Sequence, residues 1–176
     1  YGSASVESLL AEPPKNGLSP KCNASELGFK TVSISAVKNG KFDPVGCIKH
    51  AELARERVTP YFVKAGDVFV VRGNGNRYRA GKAGLCTNDF AELFYPDLLI
   101  RLRFDRKKYH PELASAVWNS PHIHRLLIAR AKSTNGIWKV NGKDIRAHAL
   151  PHPPKDVQRD AVEVLRELSN TVATAE

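Results

Sequence analysis

AKSTNGIWKVNGKDIR, residues 131–146, joins a polar basic turn, a short apolar strand and an Asn-Gly pair in one compact unit. Asn141-Gly142 fits a type I′ turn, which needs positive φ at both central residues. The segments Ile137 to Val140 and Lys143 to Arg146 are therefore expected to pair as a β-hairpin. Ahead of them, Ser133, Thr134 and Asn135 offer short side chains that donate or accept hydrogen bonds, and Lys132 and Lys139 flank them with positive charge. Gly136 lets the backbone approach a ligand closely. Such a unit presents donors and charge rather than bond chemistry, and it suits a polyanion. A plain hairpin on a basic surface explains the same letters equally well, so the rest of the chain has to discriminate.

The chain has 176 residues, with 27 Lys and Arg against 18 Asp and Glu. That length predicts one domain of ordinary size, able to bury about two thirds of its unfolded surface without staples. The charge is uneven. Residues 1–95 hold 13 basic and 9 acidic groups, residues 96–150 hold 11 and 4, and residues 151–176 hold 3 and 5. The excess therefore concentrates around the opening stretch, and no acidic residue occurs between Leu113 and Asn141. Together with the Arg72 to Lys82 loop, this segment predicts one positive face. Phosphates are the natural counterpart, because each one neutralised releases condensed counterions. The acidic tail is expected to face something else.

Cys22, Cys47 and Cys86 are odd in number and widely spaced, which predicts neither a disulfide framework nor a metal knuckle and fits a reducing cytoplasm. Cys47 with His50, and His122 with His124, each give half of a ligand set, whereas a zinc site needs about four ligands. No metal and no cofactor is expected. No apolar run approaches the roughly 20 residues that cross a bilayer, and residues 1–17 lack the basic and apolar regions of a signal peptide. The chain contains no methionine, even at position 1, which is the expectation for a piece of a longer polypeptide.

Turn signals crowd residues 1–30 (Pro13-Pro14, Asn16-Gly17, Ser19-Pro20), with a short helix expected over Ser5 to Ala11. Strands are predicted at Thr31 to Val37, Val58 to Val63, Asp67 to Arg72 and Leu98 to Phe104, the last with Ile100, Leu102 and Phe104 on one face and Arg101 and Arg103 on the other. The loop GNGNRYRAGKAG (Gly73 to Gly84) reads as flexible and basic. Helix is expected from about Pro111 to Ala131, broken at Asn119-Ser120-Pro121, where Ser caps and Pro fits a first turn. After LPHPP (Leu150 to Pro154), Lys155 to Val172 is the strongest helical pattern. Val157, Ala161, Val164, Leu165, Leu168 and Val172 fall on one seam, as in a helix that packs on another long helix. A terminal helix packed on its own domain gives a similar pattern.

Catalytic motifs fare poorly. Between Gly75 and Gly81 lie five residues where a phosphate-binding loop has four, and Ala83 stands where Ser or Thr would hold magnesium. No dinucleotide-binding βαβ rhythm and no nucleophile triad is evident. Pro96-Asp97 followed by Asp105-Arg106-Lys107 matches, in letters, a magnesium-dependent PD-(D/E)xK endonuclease. On a single strand, however, at about 3.3 Å per residue, the two carboxylates would stand some 26 Å apart and share no metal.

GDVFVVRGNGN (Gly66 to Asn76), YPDLLIRLRFD (Tyr95 to Asp105), NSPHIHRLLIARAKSTNGIWKVNGKDIRAHALPHPP (Asn119 to Pro154) and the helix containing Gln158 together resemble the specificity subunit of type I restriction-modification enzymes. The similarity runs over most of the chain, and His152 departs from the apolar residue usual there. The resemblance implies a mixed α/β fold, α+β-like, with a twisted β-sheet, long loops and flanking helices. Residues 1–150 would form one target recognition domain, and residues 151–176 would start a long helical spacer that pairs with another helix. It implies a bacterial defence component that directs methylase and restriction subunits to double-stranded DNA without catalysing anything itself. The DNA contacts expected are Arg72, Asn74, Asn76, Arg77, Arg79 and Lys82 on one loop, and Lys132, Ser133, Thr134, Asn135 and Lys139 on the other. Arginine takes guanine and asparagine takes adenine by paired hydrogen bonds, and lysines hold phosphates. An RNA-binding module shares the charge but not the partner.

Overall fold

A computed structural model gives the structure of residues 1–174. The chain begins with β1 (Ser3–Ser5), α1 (Val6–Leu9), β2 (Lys15–Asn16), β3 (Phe29–Val32), β4 (Val37–Lys38), β5 (Lys41–Phe42), β6 (Ile48–Ala51) and α2 (Arg55–Val58). Next come β7 (Asp67–Val71), β8 (Gly73–Asn74), β9 (Ala83–Leu85) and β10 (Leu99–Arg103). The rest is α3 (Pro111–Asn119), α4 (Pro121–Ile128), β11 (Lys132–Thr134), β12 (Ile137–Lys139), α5 (Gly142–Arg146), β13 (Ala149–Pro151) and α6 (Lys155–Thr174).

A six-stranded sheet in the order β2-β10-β7-β9-β5-β4 organises this mixed α/β fold. Its pairs are antiparallel except β5 with β9, where Gly84 matters because a Cβ there would stand 2.6 Å from the Lys41 carbonyl oxygen. Strand β7, rich in β-branched and aromatic residues, is buried along its whole length and pairs with β10 so that Val70 faces Ile100. Val68, Val70, Ile100 and Leu102 meet α3 and α4 through Leu113, Trp118 and Leu127. The opposite face packs Phe69, Val71 and Leu99 on Phe42 and Tyr95.

The arginines of β10 lie on this second, covered face. Arg101 is only 4% exposed; it donates to Glu12 at 2.5 Å and to the Pro60 carbonyl at 3.3 Å. Arg103 grips the buried Asp67 carboxylate with two bonds of 2.7 and 3.1 Å. Pairing of this kind is what makes charges tolerable in a strand covered on both sides. Breaking the alternation of β10 by deleting one partner would leave an uncompensated ion.

Three expected elements are different. Val58 to Val63 is no strand: α2 ends at Val58 and a 3₁₀ turn covers Thr59–Tyr61, because Pro60 fits a helical first turn and the Thr59 hydroxyl donates to the Arg55 carbonyl at 2.8 Å. The expected strand over Thr31 to Val37 breaks after Val32 into a 3₁₀ turn, Ile34–Ala36, where the Ser33 and Ser35 hydroxyls bond each other and compete with the ladder. The hairpin around Asn141-Gly142 also fails. Asn141 is extended (φ −119°), and its side-chain oxygen accepts from the Asp144 backbone N–H at 2.9 Å, capping α5. The hairpin forms instead at Asn135-Gly136, whose φ values of 51° and 75° are those of a I′ turn.

The long terminal helix packs partly on its own domain. Gln158, buried, donates to the Lys108 and Pro153 carbonyls at 3.1 and 3.0 Å and accepts from the His110 N–H at 3.1 Å. Ala161, Val162 and Leu165 extend that face onto the core, and Arg166 holds Glu112 at 2.6 and 2.8 Å. The expected seam therefore splits. Val164, Leu168 and Val172 point away, 54%, 59% and 61% exposed. Strand β13 spans residue 150 and pairs with β1, so the last strand before the helix is tied to the start of the chain.

Candidate nucleic-acid interface

Two segments far apart in sequence meet in a small sheet of order β11-β12-β8. Trp138 lies opposite Asn74 and Lys139 opposite Gly73, and the Val140 N–H donates to the Arg72 carbonyl at 2.9 Å. The loop of Arg72 to Lys82 and the hairpin of residues 132–139 thus form one surface.

The Gly-rich loop, expected as a flexible segment, is held by hydrogen bonds along its own chain and from the helices behind it. Within it, the Asn74 side-chain oxygen accepts from the Asn76 N–H, and the Asn76 oxygen from the Tyr78 N–H, both at 2.9 Å. From below, the Trp118 indole donates to the Gly81 carbonyl at 2.8 Å and His124 Nε2 to the Ala80 carbonyl at 2.9 Å. Asn119 clasps Ala83, accepting from its N–H at 3.0 Å and donating to its carbonyl at 2.9 Å. Gly81 takes φ +72° where a Cβ would meet Leu127 at 3.1 Å, so no other residue turns here without strain.

Exposed on this frame are Asn76, Arg77 and Arg79 from the loop and Lys132, Ser133, Thr134, Asn135 and Lys139 from the hairpin. The Arg77 guanidinium stacks over the Trp138 ring at 4.7 Å, which orients it with its donors still free. Lys132 and Lys139 stand directly opposite each other across β11 and β12. Like charges so placed repel. Among the described residues no carboxylate lies within ion-pair distance of Arg77, Arg79, Lys82, Lys132 or Lys139. This is a surface that lacks its counter-charge.

Not every expected residue presents its side chain there. Arg72 is half-buried and faces Asp97 at 3.7 Å. Lys82 is also half-buried; it donates to the Asn119 carbonyl at 3.4 Å, and burial holds its pKa below the ordinary lysine value. Asn74 and Asn76 spend their oxygens on the turns, leaving only the amide nitrogens for a ligand. Sequence reasoning missed Trp138 as the platform for Arg77, and it missed Tyr78, the loop aromatic next to Arg77 in sequence, which is 73% exposed. The signal was present as aromatics flanked by cations in RYR and IWK.

The other candidates separate in space. Asp97 and Asp105 lie beyond opposite ends of β10, Asp97 against Arg72 and Asp105 accepting from the Lys107 N–H at 2.9 Å, so the endonuclease alternative has no converging carboxylates. His124 is committed to Ala80 while His122 is exposed, and the Cys86 thiol is pushed up to about 12, chiefly by burial.

No family model matches the chain. It is 31% identical over 163 residues to the type I restriction enzyme EcoKI specificity subunit of Escherichia coli strain K12, covering 92% of this chain and 34% of that protein. The putative type I restriction enzyme MjaX specificity subunit of Methanocaldococcus jannaschii is 21% identical over 168 residues, covering 94% and 39%. The HsdS subunit from Thermoanaerobacter tengcongensis matches in structure with a TM-score of 0.67 at 18% identity, over 99% of this chain and 43% of that one. The fold is shared with that subunit. The chain spans between 34% and 39% of the length of these curated relatives.

Proposed function

We propose that this chain, a homologue of type I restriction enzyme specificity subunits, is one target recognition domain that reads a double-stranded DNA sequence for a restriction-modification system. The observation that carries the reading is the union of the 72–82 loop and the 132–139 hairpin in one sheet whose exposed cations have no carboxylate partner among the described residues. Phosphates supply the missing charge, and the rigid loop keeps the entropic cost of binding low. Arg77, oriented by Trp138, is the base-reading residue, while Lys132 and Lys139 straddle a phosphate. Residues 1–150 act as the recognition domain and residues 151–176 as the start of the spacer helix. The chain itself neither cuts nor methylates; partner methylase and restriction subunits do so, in the cytoplasm where the DNA is.

Fluorescence anisotropy against specific and random duplexes tests the reading. Arg77→Ala is expected to lose about 1–3 kcal/mol of binding on the specific duplex and little on the random one. Lys132→Ala with Lys139→Ala weakens both alike and lowers the salt slope by roughly 0.9 for each phosphate no longer neutralised. Unchanged binding in both variants, or preference for RNA in competition, refutes the proposal.

The exposed stripe of Val164, Leu168 and Val172 is proposed as the seam on which a second long helix pairs. A Val164→Asp and Leu168→Asp double variant should lose that pairing in sedimentation and in pull-down with methylase subunits, and should keep DNA binding by the domain. Assembly equal to wild type would make α6 a domain terminus and nothing more.

A further inference from the structure

The most distinctive feature left over is a cleft of about 530 Å³ that neither Arg77 nor Trp138 lines, reached by Tyr78, Arg79 and Lys82 from the loop and by Lys38 and Asn39 from the turn joining β4 and β5. Asn119, which clasps Ala83, lines it as well. Three cations and no carboxylate are among the residues that line it. Burial of the Lys82 amine makes the lack of an anion costly there, since a charge partly removed from water gains most from a partner. Lys38 meets Asp43 at 3.3 Å, but Lys38 is exposed and Asp43 partly so, and such a pair is a weak competitor for a polyanion.

We propose that this cleft seats a backbone phosphate of the bound duplex, so that the β4–β5 turn is a third DNA-contacting element beside the loop and the hairpin. The inference rests on the DNA-recognition reading above and adds a location to it. Its geometric basis is the different use of neighbouring residues: Arg77 stacks on Trp138 and stays out of the cleft, whereas Tyr78 and Arg79 line it together with Lys38 and Lys82. A loop that enters a DNA groove has a sugar-phosphate strand on each flank, the major groove being about 12 Å wide. Lys132 and Lys139 then serve one strand, and Lys38, Arg79 and Lys82 serve the strand across the groove. The β4–β5 turn is built to reach: Asn39 and Gly40 take φ 51° and 76°, a tight turn that brings Lys38 opposite Lys41 at its tip.

The test measures anisotropy of a fluorescent random-sequence duplex over a range of salt, with wild type, Lys38→Ala/Arg79→Ala, the charge-conserving Lys38→Arg, and Lys49→Ala as a cation removed on β6 outside the cleft. The double variant should weaken binding about 10-fold and reduce the salt slope by roughly 0.9 for each phosphate left without a cation. Lys38→Arg should bind as wild type does, Lys49→Ala should barely change, and base preference should persist in the double variant, because phosphate contacts carry no sequence information. Melting temperatures report that these exposed substitutions leave the fold intact. If wild type binds the duplex and the double variant retains its affinity and slope, or if Lys49→Ala loses as much, the phosphate seat is wrong while the recognition reading stands. If wild type itself does not bind duplex DNA, both fall.

Discussion

Trp118→Ala is expected to lower the melting temperature by roughly 10 °C and to take the proposed DNA binding down with it. The side chain is fully buried at the junction of α3, the sheet and the basic loop, edge-on to His148 with ring centroids 5.1 Å apart. Removing a buried tryptophan costs about 3–5 kcal/mol, and for a chain of this size each kcal/mol moves the melting point by roughly 2–4 °C. The more informative variant is Trp118→Phe. It keeps most of the apolar volume but deletes the indole donor, leaving the Gly81 carbonyl unsatisfied at a cost of about 1–3 kcal/mol. Because Gly81 sits two residues after Arg79, the loss falls on the loop that presents the cations. Calorimetry and anisotropy at a temperature where the variant is folded should show a modest drop in stability and a larger proportional drop in affinity. A Trp118→Phe protein that melts and binds as wild type does would mean that the loop is held by Asn119 and His124 alone.

Such an anchor was not legible in the sequence. Trp118 reads as one more apolar position of a helix, and nothing in its spacing tells that its ring nitrogen reaches a loop 37 residues earlier. The elements that could be read were those whose periodicity matches both local and tertiary demands: β7, β10, the helix break at Ser120 and the long terminal helix. The misread ones turn on polar side chains bonding to nearby backbone. Asn135-Gly136 and Asn141-Gly142 are identical dipeptides; at the second the asparagine oxygen takes the backbone N–H three residues on and caps a helix that draws Ile145 into the core. Of the proposed DNA-binding residues, the two segments were named from charge and composition alone. What could not be seen was that β8 and β12 pair, that two asparagines are occupied in turns, and that Trp138 holds Arg77. Those depend on the meeting of distant residues, which single-sequence periodicity does not encode.

Acid is expected to unfold this protein more readily than surface charge alone would cause, and His148 is the main reason. Burial, aided by Arg130 and then His124, holds its pKa down to about 4 from an ordinary 6.5. Its ring is 2% exposed, and Nε2 has no hydrogen-bond partner among the described residues. As the pH falls below 6.5, the unfolded chain takes up a proton that the folded chain refuses, so stability declines through the interval from 6.5 to about 4 and levels off below it. At 1.36 kcal/mol per pKa unit the full penalty is about 3 kcal/mol, a large share of the roughly 5–15 kcal/mol that keeps a domain folded. His124 and His110 are shifted in the same direction, chiefly by burial, and add to the slope. His148→Leu replaces the ring by an apolar side chain that needs no partner and cannot titrate. Urea unfolding as a function of pH should therefore show the wild type losing stability with about one more bound proton of slope than the variant across that interval, the two curves running parallel above neutrality. Since His148 packs on Trp118, the same protonation loosens the support of the basic loop, and DNA affinity in wild type should fall with acid before global unfolding, but not in His148→Leu. Parallel stability curves throughout would show that the buried ring is protonated without penalty, and would remove the basis for this acid sensitivity.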